Sequence, residues 1–174
     1  CHRRSVREPR ARRRVGYMSQ SFSLYSELTV RQNLALHARL FHVPAEEISG
    51  RVEEVVARFD LADVIDARPD ALPLGHRQRL SLAVAMIHRP EMLILDEPNS
   101  GLDPLTSFFI INYLKTLRRE GKTILLSAHN LFHVETICDR VGIIKNGKLL
   151  VLDTMDALRA RLGKREYQVI FHAD

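Results

Sequence analysis

The chain has 174 residues, 45% of them hydrophobic and 27% charged, which fits one soluble globular domain with at most a subdomain. No stretch approaches the roughly 18 to 20 consecutive apolar residues of a spanning helix, and Cys1 and Cys138 lack any CxxC or Cys/His spacing, so neither a zinc site nor a disulfide framework is indicated. A reduced, cytoplasmic setting follows. The net charge of +5 is concentrated in CHRRSVREPRARRR, where seven arginines stand without an aromatic anchor. Such charge blocks are solvated tails, so residues 1–13 are expected to be disordered and carry no specific nucleic-acid function. The chain opens on Cys and has no apolar signal segment, which suggests a piece of a longer protein.

The first expected element is a buried strand in RVGYMSQ (14–20), stopping at Gln20. SELTVRQNLALHARLF (26–41) follows with Thr29 and Gln32 at capping-box spacing and with Leu34, Leu36 and Leu40 in helical pattern. PAEEISGRVEEVVARFDL (44–61) begins with Pro44 and two glutamates, and places Ile48, Val52, Val55, Val56 and Phe59 on one face. Residues 28–88 therefore read as all-helical. After Pro90 the pattern changes to alternating strand and helix: EMLILDEP, a helix from Asp103-Pro104 to about Glu120, KTILLSAH, NLFHVETICD and RVGIIKNG. That alternation predicts a parallel sheet with helical crossovers.

LILDEPNSGLDP (93–104) carries the strongest chemical signal. Four apolar residues, Met92 to Leu95, bring Asp96 and Glu97 to the C-terminal tip of a strand, the edge at which open α/β sheets bind ligands. Neighbouring strand residues point to opposite sides, which lets the two carboxylates take different roles. Asp96 suits a magnesium ion that keeps part of its water shell, and Glu97 suits a general base on the attacking water. A lone acidic pair at this place would more simply cap a helix; the SGLDP that follows turns the reading towards function. Upstream, ALPLGHRQRLSLAVAMIHRP (71–90) opens a helix at a glycine, leaving backbone N–H groups free at the positive end of the helix dipole. By itself such a start is only a cap.

Taken together, these stretches resemble the nucleotide-binding domain of ATP-binding cassette (ABC) proteins from Gly16 to about Gly163. YMSQ is similar to the strand into the Q-loop, LPLGHRQ to the signature motif, LILDEP to Walker B, SGLD to the D-loop and SAH to the switch, in the family order. GYMSQSFSLYSELTVRQNL and LPLGHRQRLSLA resemble bacterial ABC-2 type exporters and the ribosome-associated ATPase group. The resemblance implies a P-loop NTPase (RecA-like) α/β core at 14–27 and 89–174, with an inserted helical subdomain at 28–88. It implies ATP and Mg2+ as ligands and a head-to-tail dimer of two such domains. Gln20, Asp96, Glu97 and His129 would serve one ATP, with Gln20 and Asp96 on the metal and His129 on the γ-phosphate. Gly75 and His76 would meet the ATP of the opposite domain, and Asp103 would link the two sites. A transmembrane permease is the implied partner, with the chain peripheral on the cytoplasmic face of the membrane. The alternatives are a soluble ATPase acting on ribosomes and a non-catalytic interaction module.

Three departures from the family pattern stand out. Pro73 and Leu74 replace the serine and first glycine of LSGGQ, and Asn99 stands where threonine is usual. No GxxxxGK[ST] precedes Gln20, which implies a missing phosphate loop and little ATPase activity in the chain as it stands. GIIKNGKLL (142–150) mimics that loop, but Leu149 occupies the place of its Ser or Thr, and Asn146-Gly147 between apolar runs is a hairpin signal. Phe22, Leu24 and Tyr25 are candidates for a partner-docking surface or for packing within the helical insert, and YQVIFHAD reads as the start of another strand.

Overall fold

The computed structural model describes residues 13–20 and 24–162. The arginine-rich start, Phe22 and YQVIFHAD lie outside the described residues. The chain separates into two compact units, one ending at His129 and the other beginning at Asn130.

In the first unit, β1 (Val15–Met18), β2 (Met92–Asp96) and β3 (Thr123–Ser127) form a parallel sheet in the order β1-β2-β3. The pairing sets Met18 beside Leu95, and Asp96 beside Ser127. Parallel strands need crossovers, and both are helical: α1 (Val30–Leu40), α2 (Ile48–Arg58) and α3 (Leu74–Met86) lie between β1 and β2, and α4 (Pro104–Arg119) joins β2 to β3. The α/β class and the all-helical stretch between the first two strands agree with the sequence.

Local signals account for most boundaries. Thr29 and Gln32 form the expected capping box, each side chain bonded to the other's backbone N–H. Asp103 caps α4 ahead of Pro104, and α4 ends before Gly121, whose φ of +82° only glycine adopts freely. Two details differ from expectation. β1 ends at Met18, two residues short of Gln20, which therefore lies beyond the strand. In α1, Leu34 is buried, but Leu36 is half-buried and Leu40 is 54% exposed; the buried stripe is Val30, Asn33, Leu34 and Ala38. Asn33 is buried because its side chain is fully used: its Nδ2 donates to the carbonyls of Tyr25, Leu28 and Thr29, and its Oδ1 accepts from the N–H of Tyr25.

One face of the sheet, bearing Gly16, Met18, Leu93 and Leu95, is buried. α3 packs on it so closely that a Cβ at Gly16 would lie 2.2 Å from the Ala85 carbonyl oxygen. Leu80, Leu82 and Ala83 of α3, and Ile110, Leu114 and Leu117 of α4, complete the core with no exposure. Burial of each such leucine contributes about 1.5 to 3 kcal/mol. The strand residues Tyr17, 58% exposed, and Leu125, 57% exposed, share the other face. EMLILDEP is thus a central strand covered mainly on one side among the described residues, rather than on both.

The second unit begins with α5 (Leu131–Ile137), followed by β4 (Val141–Lys145), β5 (Lys148–Asp153) and α6 (Met155–Leu162). β4 and β5 pair antiparallel across Asn146 and Gly147, at φ +51° and +72°. Two consecutive positive φ angles define the tight hairpin turn that Asn-Gly favours. GIIKNGKLL is therefore strand, turn and strand, with Lys145 and Lys148 exposed. α6 was not signalled by the sequence pattern; Thr154 caps it through Ala157 N–H.

Candidate functional site

β2 ends at Asp96, and the chain turns at once through Glu97, whose φ of +51° is left-handed. Such a conformation costs a non-glycine residue about 1 to 3 kcal/mol and persists only where neighbours over-determine it. Here the Glu97 N–H is held by both the carbonyl and the hydroxyl of Ser127, at 3.3 and 3.0 Å. The turn redirects the Glu97 side chain to His129, whose Nδ1 bonds its Oε2. The Ser127 hydroxyl donates to Oδ1 of Asp96 at 2.5 Å. Asp96, Glu97 and His129 thus gather at the C-terminal edge of the sheet, as the sequence predicts. Asn130, not His129, caps α5, accepting from the Phe132 N–H at 2.9 Å, so the imidazole is free of that structural duty. Gln20 leaves the same edge two residues beyond Met18 and is exposed.

A second cluster forms where α3 begins beside the start of α4. α3 starts at Leu74, one residue before the glycine expected to open it, and Pro73 offers no side-chain cap. Gly75 is needed for contact rather than for φ, since a Cβ there would meet the Thr106 Oγ1 at 2.8 Å. Thr106 is itself pinned: its hydroxyl donates to Oδ2 of Asp103 at 2.6 Å and its N–H to Oδ1 at 3.0 Å. Those bonds, the hydroxyl's first, hold the Asp103 carboxyl below its usual titration range. Gly75 and Asp103 are therefore brought together through Thr106, with the half-buried His76 beside Gly75. Gln78, buried on α3, donates to the Pro98 carbonyl at 2.7 Å and ties this cluster to the turn after Glu97.

Three contributors were not named as site residues: Thr106, and Gln78 and Ser127, which close LPLGHRQ and open SAH. Gln78 had a local signal, a polar residue on the buried flank of a helix. The contacts of Ser127 and Thr106 had none, because their partners are fixed by strand register and helix packing.

The donor set fits magnesium of the partly hydrated kind. No group of three or more His, Cys, Asp or Glu forms a cage among the described residues. Asp96 instead offers one hard carboxylate, with Oδ1 engaged by Ser127, at the edge where a nucleotide's phosphates would supply further oxygens.

A three-stranded parallel sheet with acidic strand tip, helical insert and a histidine bonded to the strand-tip glutamate fits an ATPase fold of the ABC class. The comparisons agree: the ABC transporter family matches residues 2–100, and the chain belongs to it. The probable multidrug ABC transporter ATP-binding protein YbhF of Escherichia coli (strain K12) is 36% identical over 157 residues, which is 90% of this chain and 27% of that protein. The methionine import ATP-binding protein MetN of Escherichia coli O157:H7 is 38% identical over 170 residues, or 95% of this chain and 50% of that protein. Among solved structures, the dimeric post-hydrolysis state of the ATP-binding cassette MJ0796 bound to ADP and Pi superposes with a TM-score of 0.75 at 26% identity. That match covers 83% of this chain and 64% of the other. The chain thus spans about a quarter to a half of the curated relatives it matches. The reaction of the family is ATP hydrolysis, and its fold is that of P-loop NTPases.

Proposed function

We propose that the chain is part of the ATP-hydrolysing subunit of an exporter, and that its two clusters serve two different ATP molecules in a head-to-tail dimer. The observation that carries this reading is the convergence of Asp96, Glu97 and His129 at one sheet edge, each held by a named partner. MJ0796 is a dimer in its ADP-bound state, which supports pairing. The LPLGH signature, which resembles that of ABC-2 type exporters, supports export, whereas MetN is named for methionine import; transport direction in the complete assembly separates the two. Residues 28–88 act as the helical subdomain and the described residues 14–20, 24–27 and 89–162 as parts of the α/β core.

In this mechanism Glu97 accepts the proton of a water attacking in line, as its carboxylate sits at the strand tip with Oε2 oriented by His129. His129 donates Nδ1–H to that carboxylate and orients it, and its resemblance to the family's switch histidine assigns it the contact to the γ-phosphate. Asp96 and Gln20 would hold magnesium, which when bound neutralises charge developing on the phosphates. Gly75 and His76 present the uncapped start of α3 to the ATP of the opposite domain, while Asp103, ionised as cap of α4, would link the two ATP sites across the dimer interface.

A cleft of about 190 Å3 opens beside the end of β1, lined by Met18, Leu24, His37, Phe41, Val84 and Ala85. Its size and apolar lining suit one or two side chains of a permease segment, which supports the reading that the subunit is peripheral on the cytoplasmic face of the membrane. No helix of the described residues is itself long and apolar enough to cross.

The 174 residues hold no GxxxxGK[ST] ahead of Gln20, and we propose that they do not bind nucleotide tightly alone. Titration with magnesium-ATP checks this; micromolar affinity would overturn it. In the complete assembly Glu97→Gln should retain ATP and stall before hydrolysis, and normal turnover would remove Glu97 as the base.

A further inference from the structure

Ser127 has no part in the roles given above to Asp96, Glu97 and His129, yet it touches two of them. It ends β3 in register with Asp96. A hydroxyl has one proton and two lone pairs. The Ser127 proton goes to Oδ1 of Asp96 at 2.5 Å, and a lone pair receives the Glu97 N–H at 3.0 Å. Rotating the hydroxyl away would loosen both contacts together, leaving only the 3.3 Å bond from the Glu97 N–H to the Ser127 carbonyl.

We infer that Ser127 is a positioning residue of the hydrolytic site, locking the metal-side carboxylate of Asp96 and the backbone of Glu97 into one fixed relation. Engaging Oδ1 orients the Asp96 carboxylate for a cation. Anchoring the Glu97 N–H holds a left-handed backbone that a glutamate would otherwise leave, and that backbone aims the carboxylate at water and at His129. Ser127 thus acts through its neighbours and not on the nucleotide. The inference rests on the proposed roles of Asp96 and Glu97 and extends them.

The test is steady-state ATPase kinetics on the complete assembly, with its partner subunits and the phosphate loop that ABC ATPases bring to this site. Ser127→Ala should lower kcat about tenfold to a hundredfold, the range typical when a group behind a metal ligand is lost. It should also raise the magnesium concentration for half activity several-fold, weaken magnesium binding to the ATP-loaded assembly by a similar factor in calorimetry, and leave the KM for ATP unchanged. Ser127→Thr, which keeps the hydroxyl, should restore kcat and the magnesium profile. Ser127→Cys keeps the volume with only a weak donor and should show the same loss as Ser127→Ala; full kcat in Ser127→Cys alone would assign the alanine defect to the strand and overturn the inference. Full kcat in both Ser127→Ala and Ser127→Cys, or a defect that threonine fails to rescue, overturns the inference while Glu97→Gln still stalls. Normal turnover by Glu97→Gln, or no turnover by the parent assembly, overturns the underlying reading and the inference with it.

Discussion

The starts of α3 and α4 lie side by side and are finished in opposite ways. α4 is closed by Asp103, whose carboxylate takes both the N–H and the hydroxyl of Thr106. α3 has Pro73 at its cap position, no side-chain acceptor, and an exposed Leu74 after it. A capped start is worth about 1 kcal/mol to a helix. α3 forms without one because its body is buried: Leu80, Leu82 and Ala83 have no exposure. The difference shows how a chain can leave donors available for an anion: the fold's energy comes from the far flank of the helix, so the tip is released from structural duty.

The most damaging way to break this contrast is to remove the burial that supports the uncapped helix. Leu80→Ala should destabilise the protein by about 2 to 5 kcal/mol, measured by denaturant unfolding; a loss below 1 kcal/mol would mean that α3 is held elsewhere. Next comes the contact between the two starts. Gly75→Ala places a methyl group 2.8 Å from the Thr106 Oγ1, and overpacking of this kind costs about 1 to 3 kcal/mol. Because Thr106 must yield, the Asp103 carboxyl should titrate closer to its ordinary range in carboxyl NMR. An unmoved Asp103 would show that the two starts are not coupled.

A smaller effect sharpens the comparison from the other side. Pro73→Ser would give α3 the acceptor that it lacks, adding about 0.5 to 1 kcal/mol to stability, and no change in thermal unfolding would show that this N-terminus is satisfied by other means. The smallest expected effect lies just past the far end of α3. His88 stacks on Phe41 with ring centroids 3.9 Å apart, and its burial lowers its pKa below 6.5. A base with a depressed folded pKa takes up protons more readily when unfolded. Its contribution is therefore intact above about pH 6.5 and declines as the pH falls below that value. His88→Phe should flatten the stability profile there; an unchanged slope would assign it to other groups.

How much of this was legible in the sequence follows from the range of the interaction. Short-range chemistry was readable: the Thr29/Gln32 box, the Asp103-Pro104 cap, the Gly121 stop and the Asn146-Gly147 turn each lie within a few residues. The site triad was legible because Asp96, Glu97 and His129 carry family motifs. Leu40 lies in the helical pattern yet is exposed, because periodicity identifies a stripe but not where it leaves the neighbouring helix. The bonds of Ser127 to residues 30 and 31 positions away required knowing that β2 and β3 align with Ser127 beside Asp96. Gly75 meeting Thr106 likewise required the packing of α3 on α4, and no spacing rule encodes it.

The left-handed backbone at Glu97 has a consequence for anyone who would improve this protein by selection. Glycine or asparagine tolerates φ of +51° with less strain than glutamate, so a thermal screen over position 97 should enrich them. Each enriched variant would lose the carboxylate. A library ranked by melting temperature alone would therefore discard the proposed base among its first gains.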